Sequence, residues 1–173
     1  TMPDLQQMMA QLLLEQAYFY ITSDHIERAK PLIDEALHLA QQLGDSTLMI
    51  MAYERSGDAA WAQGDYVQHR LAYEQALALA RATGHHQSEV HCLSNLGMND
   101  DMLCEYSRAI QSYAAALALT RQIGDREKEN VIYNNLGVSS ALLGDFTQAL
   151  AYYQETVQIS RQLGDQEGSG FAN

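Results

Sequence analysis

The sequence predicts an all-α chain of repeated helical hairpins. Three observations carry that expectation: glycines recur every 40 residues, helix-forming residues fill the segments between them, and small and aromatic residues return at fixed places in each unit.

The period is read from the turns. Leu43-Gly44-Asp45 is followed 40 residues on by Thr83-Gly84-His85, then by Ile123-Gly124-Asp125 and Leu163-Gly164-Asp165. A second series, Gly64-Asp65-Tyr66, Cys104-Glu105-Tyr106 and Gly144-Asp145-Phe146, runs in phase with it, as does a third of Gly57, Gly97 and Gly137. Each unit therefore has two breaks, with segments of about 16 residues between them, long enough for helices. Ala, Leu, Gln and Glu dominate these segments, and all are good helix formers. Asp65 with Gln68, and Asp145 with Gln148, have capping-box spacing, where a side chain satisfies the first free N–H groups. Arg81, Arg121 and Arg161 stand just before a glycine, where a cation suits the negative end of the helix dipole. The expected helices span 5–22, 25–42, 47–63, 66–82, 87–103, 106–122, 127–143 and 146–162. They pair into units 5–42, 45–82, 85–122 and 125–162, with 163–173 opening a further repeat.

Inside the units, Ala29, Ala109 and Ala149 share one register, with His69 as the exception. Seven residues on stand Ala36, Ala76 and Ala116, with Thr156 as the exception. Between them lie Tyr73, Tyr113 and Tyr153, with Ile33 in the first unit. The preceding helix carries Tyr53, Leu93 and Tyr133, then Leu96-Gly97 and Leu136-Gly137. Small residues let two helices approach closely, and the aromatic fills the gap beside them.

This pattern resembles the tetratricopeptide repeat over about residues 8–164. The usual period is about 34 residues; a 40-residue period resembles the extended variant of regulatory scaffolds and large bacterial signalling proteins. The resemblance implies a right-handed superhelical solenoid of four hairpins, eight antiparallel helices, with a concave and a convex face. It implies that the first helix of each unit lines a peptide-binding groove: Gln11, Leu14 and Tyr18; then Met51, Glu54, Arg55, Asp58 and Trp61; then His91, Ser94, Asn95, Met98, Asp101 and Met102; then Val131, Asn134, Asn135, Val138 and Leu142. These positions recur at three- and four-residue steps, which places them on one stripe of each helix. Asn95 and Asn135 are suited to gripping a peptide backbone, because an amide both donates and accepts.

The groove is expected to be acidic at Glu54, Asp58 and Asp101 and adaptable at its methionines, with Trp61 as an apolar anchor. A basic peptide with an apolar anchor is the expected partner. The variant that clamps a C-terminal carboxylate is not expected, since Glu54 and Asp58 occupy its cationic positions and Arg55 is the only cation nearby.

The net charge of −12, from 10 Lys+Arg against 22 Asp+Glu, argues against nucleic acid, because an acidic surface repels phosphates. No basic amphipathic helix suits an anionic membrane. Cys92 and Cys104, with no CxxC spacing, fit a reducing compartment and hence the cytoplasm. His85, His86, Glu89 and His91 read as a solvated turn rather than a metal site. Asp100 and Asp101 point about 100° apart on a helix, so they form no catalytic dyad; a bend or an interhelix contact is expected at Asp100. No nucleophile, phosphate-loop or zinc motif appears, so neither an enzyme nor a cofactor is expected.

The first helix is apolar on every side, through Leu12, Leu13, Leu14, Tyr18, Phe19, Tyr20 and Ile21, and such a helix is normally buried. Leu12, Tyr18 and Phe19 are therefore candidates for self-association, making a homo-oligomer joined through end helices the alternative to a peptide receptor. Arrays of this length resemble those attached to signalling ATPases, transcription activators and proteases, which implies a sensor part of a larger protein.

Overall fold

The computed structural model describes residues 2–170, with side chains described through Gly164. Eight helices follow one another among these residues: α1 (Met2–Thr22), α2 (Ile26–Leu43), α3 (Ser46–Ala62), α4 (Tyr66–Thr83), α5 (His86–Met102), α6 (Tyr106–Ile123), α7 (Arg126–Leu143) and α8 (Phe146–Gly170). The fold is all-α and builds four hairpins of the helical-solenoid type.

The turns form where the glycines predict them, for a backbone reason. Gly44, Gly84 and Gly124 close the second helices at φ of 65°, 72° and 80°, in the left-handed region that lacks a penalty only for glycine. The turns within hairpins also use positive φ, with Asp24 and Cys104 at 60° and 59° in the first and third units where the second and fourth carry Gly64 and Gly144. Aspartates then start the following helices. Asp45 accepts from the Thr47 and Leu48 amides, and Asp65, Asp125 and Asp145 accept from the amides of Gln68, Lys128 and Gln148.

Two expectations fail at the last helix. No turn forms at Gly164; α8 runs through it to Gly170. A helix that continues through a glycine keeps its backbone hydrogen bonds. Arg161 is consequently not in a last turn. The end of the expected further repeat, 171–173, lies outside the described residues. At the other end α1 begins at Met2, with Pro3 and Asp4 in its first turn, positions that suit an N-terminus.

The chain divides into two compact units, Thr1–Cys92 and Leu93–Asn173. In the first, Ala10, Leu14, Ala36, Ala40, Leu48 and Ala52 form one buried cluster, and Ala17, Ala29, Ile33 and Ala59 a second. In the second, Tyr113, Ala116, Ile132, Leu136 and Ala149 are buried. Glycine and tyrosine set the closeness of the helices within a hairpin. A methyl group on Gly57 would lie 2.5 Å from the Tyr73 ring, one on Gly97 2.7 Å from Tyr113, and one on Gly137 2.6 Å from Tyr153. α1 is not buried all round: Leu14 enters the core, while Leu12 and Phe19 are 63% and 62% exposed.

Candidate binding face on the first helices

On α3, Met51, Glu54, Arg55, Asp58 and Trp61 are all half-buried and held by one another or by neighbours. Arg55 donates to Asp58 at 2.9 Å, and its guanidinium lies 4.4 Å from the ring centroid of Tyr18 on α1. The Tyr73 hydroxyl donates to the other Asp58 oxygen at 2.6 Å. Glu54 stands 3.0 Å from His91 Nδ1, and the Cys92 thiol donates to the same carboxylate at 3.9 Å. Trp61 packs on Tyr66 and His69, with ring centroids 5.4 and 5.0 Å away, and His69 packs on Tyr73 at 4.7 Å.

This network has chemical consequences. Burial, reinforced by Asp58, pushes the Tyr73 hydroxyl far above its ordinary pKa, so it is a permanent donor. Burial and Glu54 likewise push the Cys92 thiol up, which keeps it protonated and poorly nucleophilic. His69, at an alanine position of the other units, packs tilted against both rings, at 52° to Trp61 and 45° to Tyr73; its departure from the Ala29/Ala109/Ala149 series was the available sequence signal. Tyr73 and Tyr113 reach the site's carboxylates although sequence reasoning assigned them to packing alone.

On α5, Ser94, Asn95 and Met98 are half-buried and Met102 is 50% exposed. Asp101 accepts from Tyr113 at 3.1 Å and from Ser139 at 2.8 and 2.9 Å. Burial raises its carboxyl pKa, and these two hydroxyl donors pull it back down. Asp100 is 2% exposed and meets Arg108 of α6 at 3.8 Å, an interhelix ion pair. The solvated turn expected over His85, His86, Glu89 and His91 is instead the start of α5, where only His85 precedes the helix; Glu89 is half-buried and accepts from Arg81 at 2.8 Å.

α7 is different. Val131, Asn134, Val138 and Leu142 are exposed and follow each other along one face, and Asn135 beside them is half-buried. The opposite side of this helix is tied down. Glu129, 4% exposed, accepts from Arg121 Nε at 3.0 Å and is clasped by Arg126, while Arg121 also donates to the Tyr133 hydroxyl. On α1, Gln11 is exposed, Tyr18 is 48% exposed beneath Arg55, and Leu14 is a core residue rather than a groove residue.

Residues 131–163, which take in most of α7 and most of α8, match a tetratricopeptide repeat family model. Residues 131–163 thus carry the signature of one tetratricopeptide repeat. The chain shares its fold with aspartyl phosphate phosphatase F from Bacillus subtilis at a TM-score of 0.87 and 15% identity, covering 92% of this chain and 42% of that one. It also matches a Signal Transduction ATPase with Numerous Domains (STAND) protein with a tetratricopeptide repeat sensor from Pyrococcus horikoshii, at a TM-score of 0.83 and 15% identity, over 94% and 25% of the two chains. RapI in its apo form aligns at a TM-score of 0.84 and 14% identity, over 91% and 44%. The chain thus spans less than half of each of these proteins. No curated protein sequence matches it. Among the described residues, no helix is long and apolar enough to cross a membrane, and no His, Cys, Asp and Glu side chains cluster as a metal site would need.

Proposed function

We propose that this repeat array is a protein-interaction module that receives a peptide or protein segment along its first-helix face, as the sensor part of a larger regulatory protein. The observation that carries the reading is the open row Val131, Asn134, Val138 and Leu142 on α7. Apolar side chains at three- and four-residue steps offer a row of anchor sites, and the interleaved amides pair with a peptide backbone. The carboxylates Glu54, Asp58 and Asp101 already have partners within the fold. A basic partner is therefore favoured by the overall charge of −12, which steers approach over distance, more than by ion pairs in the groove. The same charge disfavours nucleic acid.

Selection of a random peptide library on the chain tests this. Enrichment of a motif with apolar anchors is expected, and its loss with an unchanged helical spectrum is expected for Val138→Asp combined with Leu142→Asp. A motif that binds both proteins equally would move the site away from α7. A second reading has its own support. Met2, Leu5, Met9, Leu12 and Phe19 are exposed along α1, an apolar stripe suited to self-association. Light scattering of Leu12→Glu with Phe19→Glu decides it: a change in mass favours oligomerisation, and a monomer in both proteins rejects it.

A further inference from the structure

Resting on the peptide-receptor reading above, we propose that Asp101 takes a lysine or arginine side chain of the partner segment, in the place that Arg55 takes at Asp58. The fold contains the complete arrangement once. One oxygen of Asp58 accepts the Tyr73 hydroxyl at 2.6 Å, and the other accepts the Arg55 guanidinium at 2.9 Å. Forty residues after Tyr73, Tyr113 donates in the same way to Asp101 at 3.1 Å, and Ser139 of α7 is a second donor at 2.8 Å. The cation is missing. Asn95 stands forty residues after Arg55 and carries no charge. Among the described residues, Asp58 has Arg55 and Glu54 has His91, which can become charged, whereas Asp101 has only the two neutral hydroxyls.

Hydroxyls fix the direction of a carboxylate but leave its charge in place. Burial raises the Asp101 carboxyl above its ordinary pKa despite both donors, and the charge of Asp100 adds to the rise. An incoming cation compensates that charge. A carboxylate has about four lone-pair sites, and two hydroxyls use only two, so an ammonium or a guanidinium can still bond. The opening beside Asp101 lies inside the array: α7 packs against α5 here through the Ser139 bond, and Met102 is nevertheless 50% exposed. Met98, one turn before Asp101, is half-buried. The aliphatic stem of a basic side chain lies along such residues while its charged end reaches the acid. The overall charge of −12 steers a basic segment towards the chain, and Asp101 fixes one point of its register.

Random-peptide selections on the chain and on Asp101→Asn, which keeps the shape and removes the charge, test this. A motif with one position rich in Lys or Arg is expected from the chain, and the same apolar anchors without that preference from the variant. The selected peptide is then remade with norleucine at that position, or citrulline in place of arginine, and followed by fluorescence anisotropy. The neutral peptide should bind the chain about tenfold more weakly, as loss of a half-desolvated charge pair does. The variant should bind the basic and the neutral peptide equally. The comparison of the two peptides on the unaltered chain holds whether or not the variant folds. A motif with apolar anchors and no basic preference overturns the proposal and leaves the peptide receptor standing. So does a norleucine effect of equal size on chain and variant. Absence of any motif from the chain overturns both.

Discussion

α3 and α7 present the same five register positions in opposite states. Met51, Glu54, Arg55, Asp58 and Trp61 of α3 correspond, 80 residues on, to Val131, Asn134, Asn135, Val138 and Ala141 of α7. On α3 long charged side chains are half-buried, and a half-buried charge must find a partner, so Glu54, Arg55 and Asp58 are drawn into a lattice with His91, Tyr18 and Tyr73. On α7 short neutral side chains stand at those positions, and three of the five remain open to solvent. The family position alone therefore does not make a residue a ligand contact. A residue of the proposed binding face is free to serve a partner only if the fold has not already employed it.

The sharpest way to break that comparison is to remove one residue from each row. Asp58→Ala strands the buried Tyr73 hydroxyl and should cost about 2 kcal/mol, whereas Val138→Ala should stay within about 0.5 kcal/mol, both read from urea melts. Adding Tyr73→Phe to Asp58→Ala should recover part of the loss, because contacting residues couple. Equal costs for the two single substitutions would show that α3 is no more committed than α7.

The glycines extend the contrast with a smaller effect. Gly57→Ala drives a methyl into a fully buried Tyr73 ring and should cost about 1–2 kcal/mol by overpacking. Gly137→Ala meets Tyr153, which is only half-buried and free to swing aside, so the helix-propensity gain of about 1 kcal/mol should offset the crowding. Thermal melts that rank Gly137→Ala as the worse substitution would contradict the freedom assigned to Tyr153.

The smallest effect concerns pH. Burial raises the Asp101 carboxyl above its unfolded value, so the fold favours the protonated acid. That contribution is complete below the unfolded pKa of about 3.9 and is lost as pH rises through the higher folded value. Asp101→Asn is neutral throughout, and the melting-temperature difference between chain and variant should change in the variant's favour as pH rises from about 4 to 7. A difference that does not vary with pH would mean that the Ser139 and Tyr113 hydrogen bonds cancel the effect of burial.

The fold was legible because its determinants are local and repeated. A glycine opposite a tyrosine, as in Gly57 with Tyr73, permits one close packing of two helices, and in-phase repetition excludes chance. What periodicity misses is reach. It places Glu54 on a face, but not that His91, 37 residues away, comes to meet it. It places Tyr18 on the first helix without showing that Arg55 covers it. Gly164 shows another limit: glycine permits a turn without compelling one, and α8 runs through it. Of the groove positions read from the sequence, Leu14 belongs to the core, and the α7 set is the one left open.

The central claim is that the open row of α7, rather than the committed row of α3, is where a partner makes contact. A photoreactive phenylalanine analogue placed in turn at Val138 and at Met51, with a library-selected peptide bound, tests it most directly. The account predicts crosslinking from position 138 and little from position 51. Strong crosslinking from position 51 with none from 138 would contradict it.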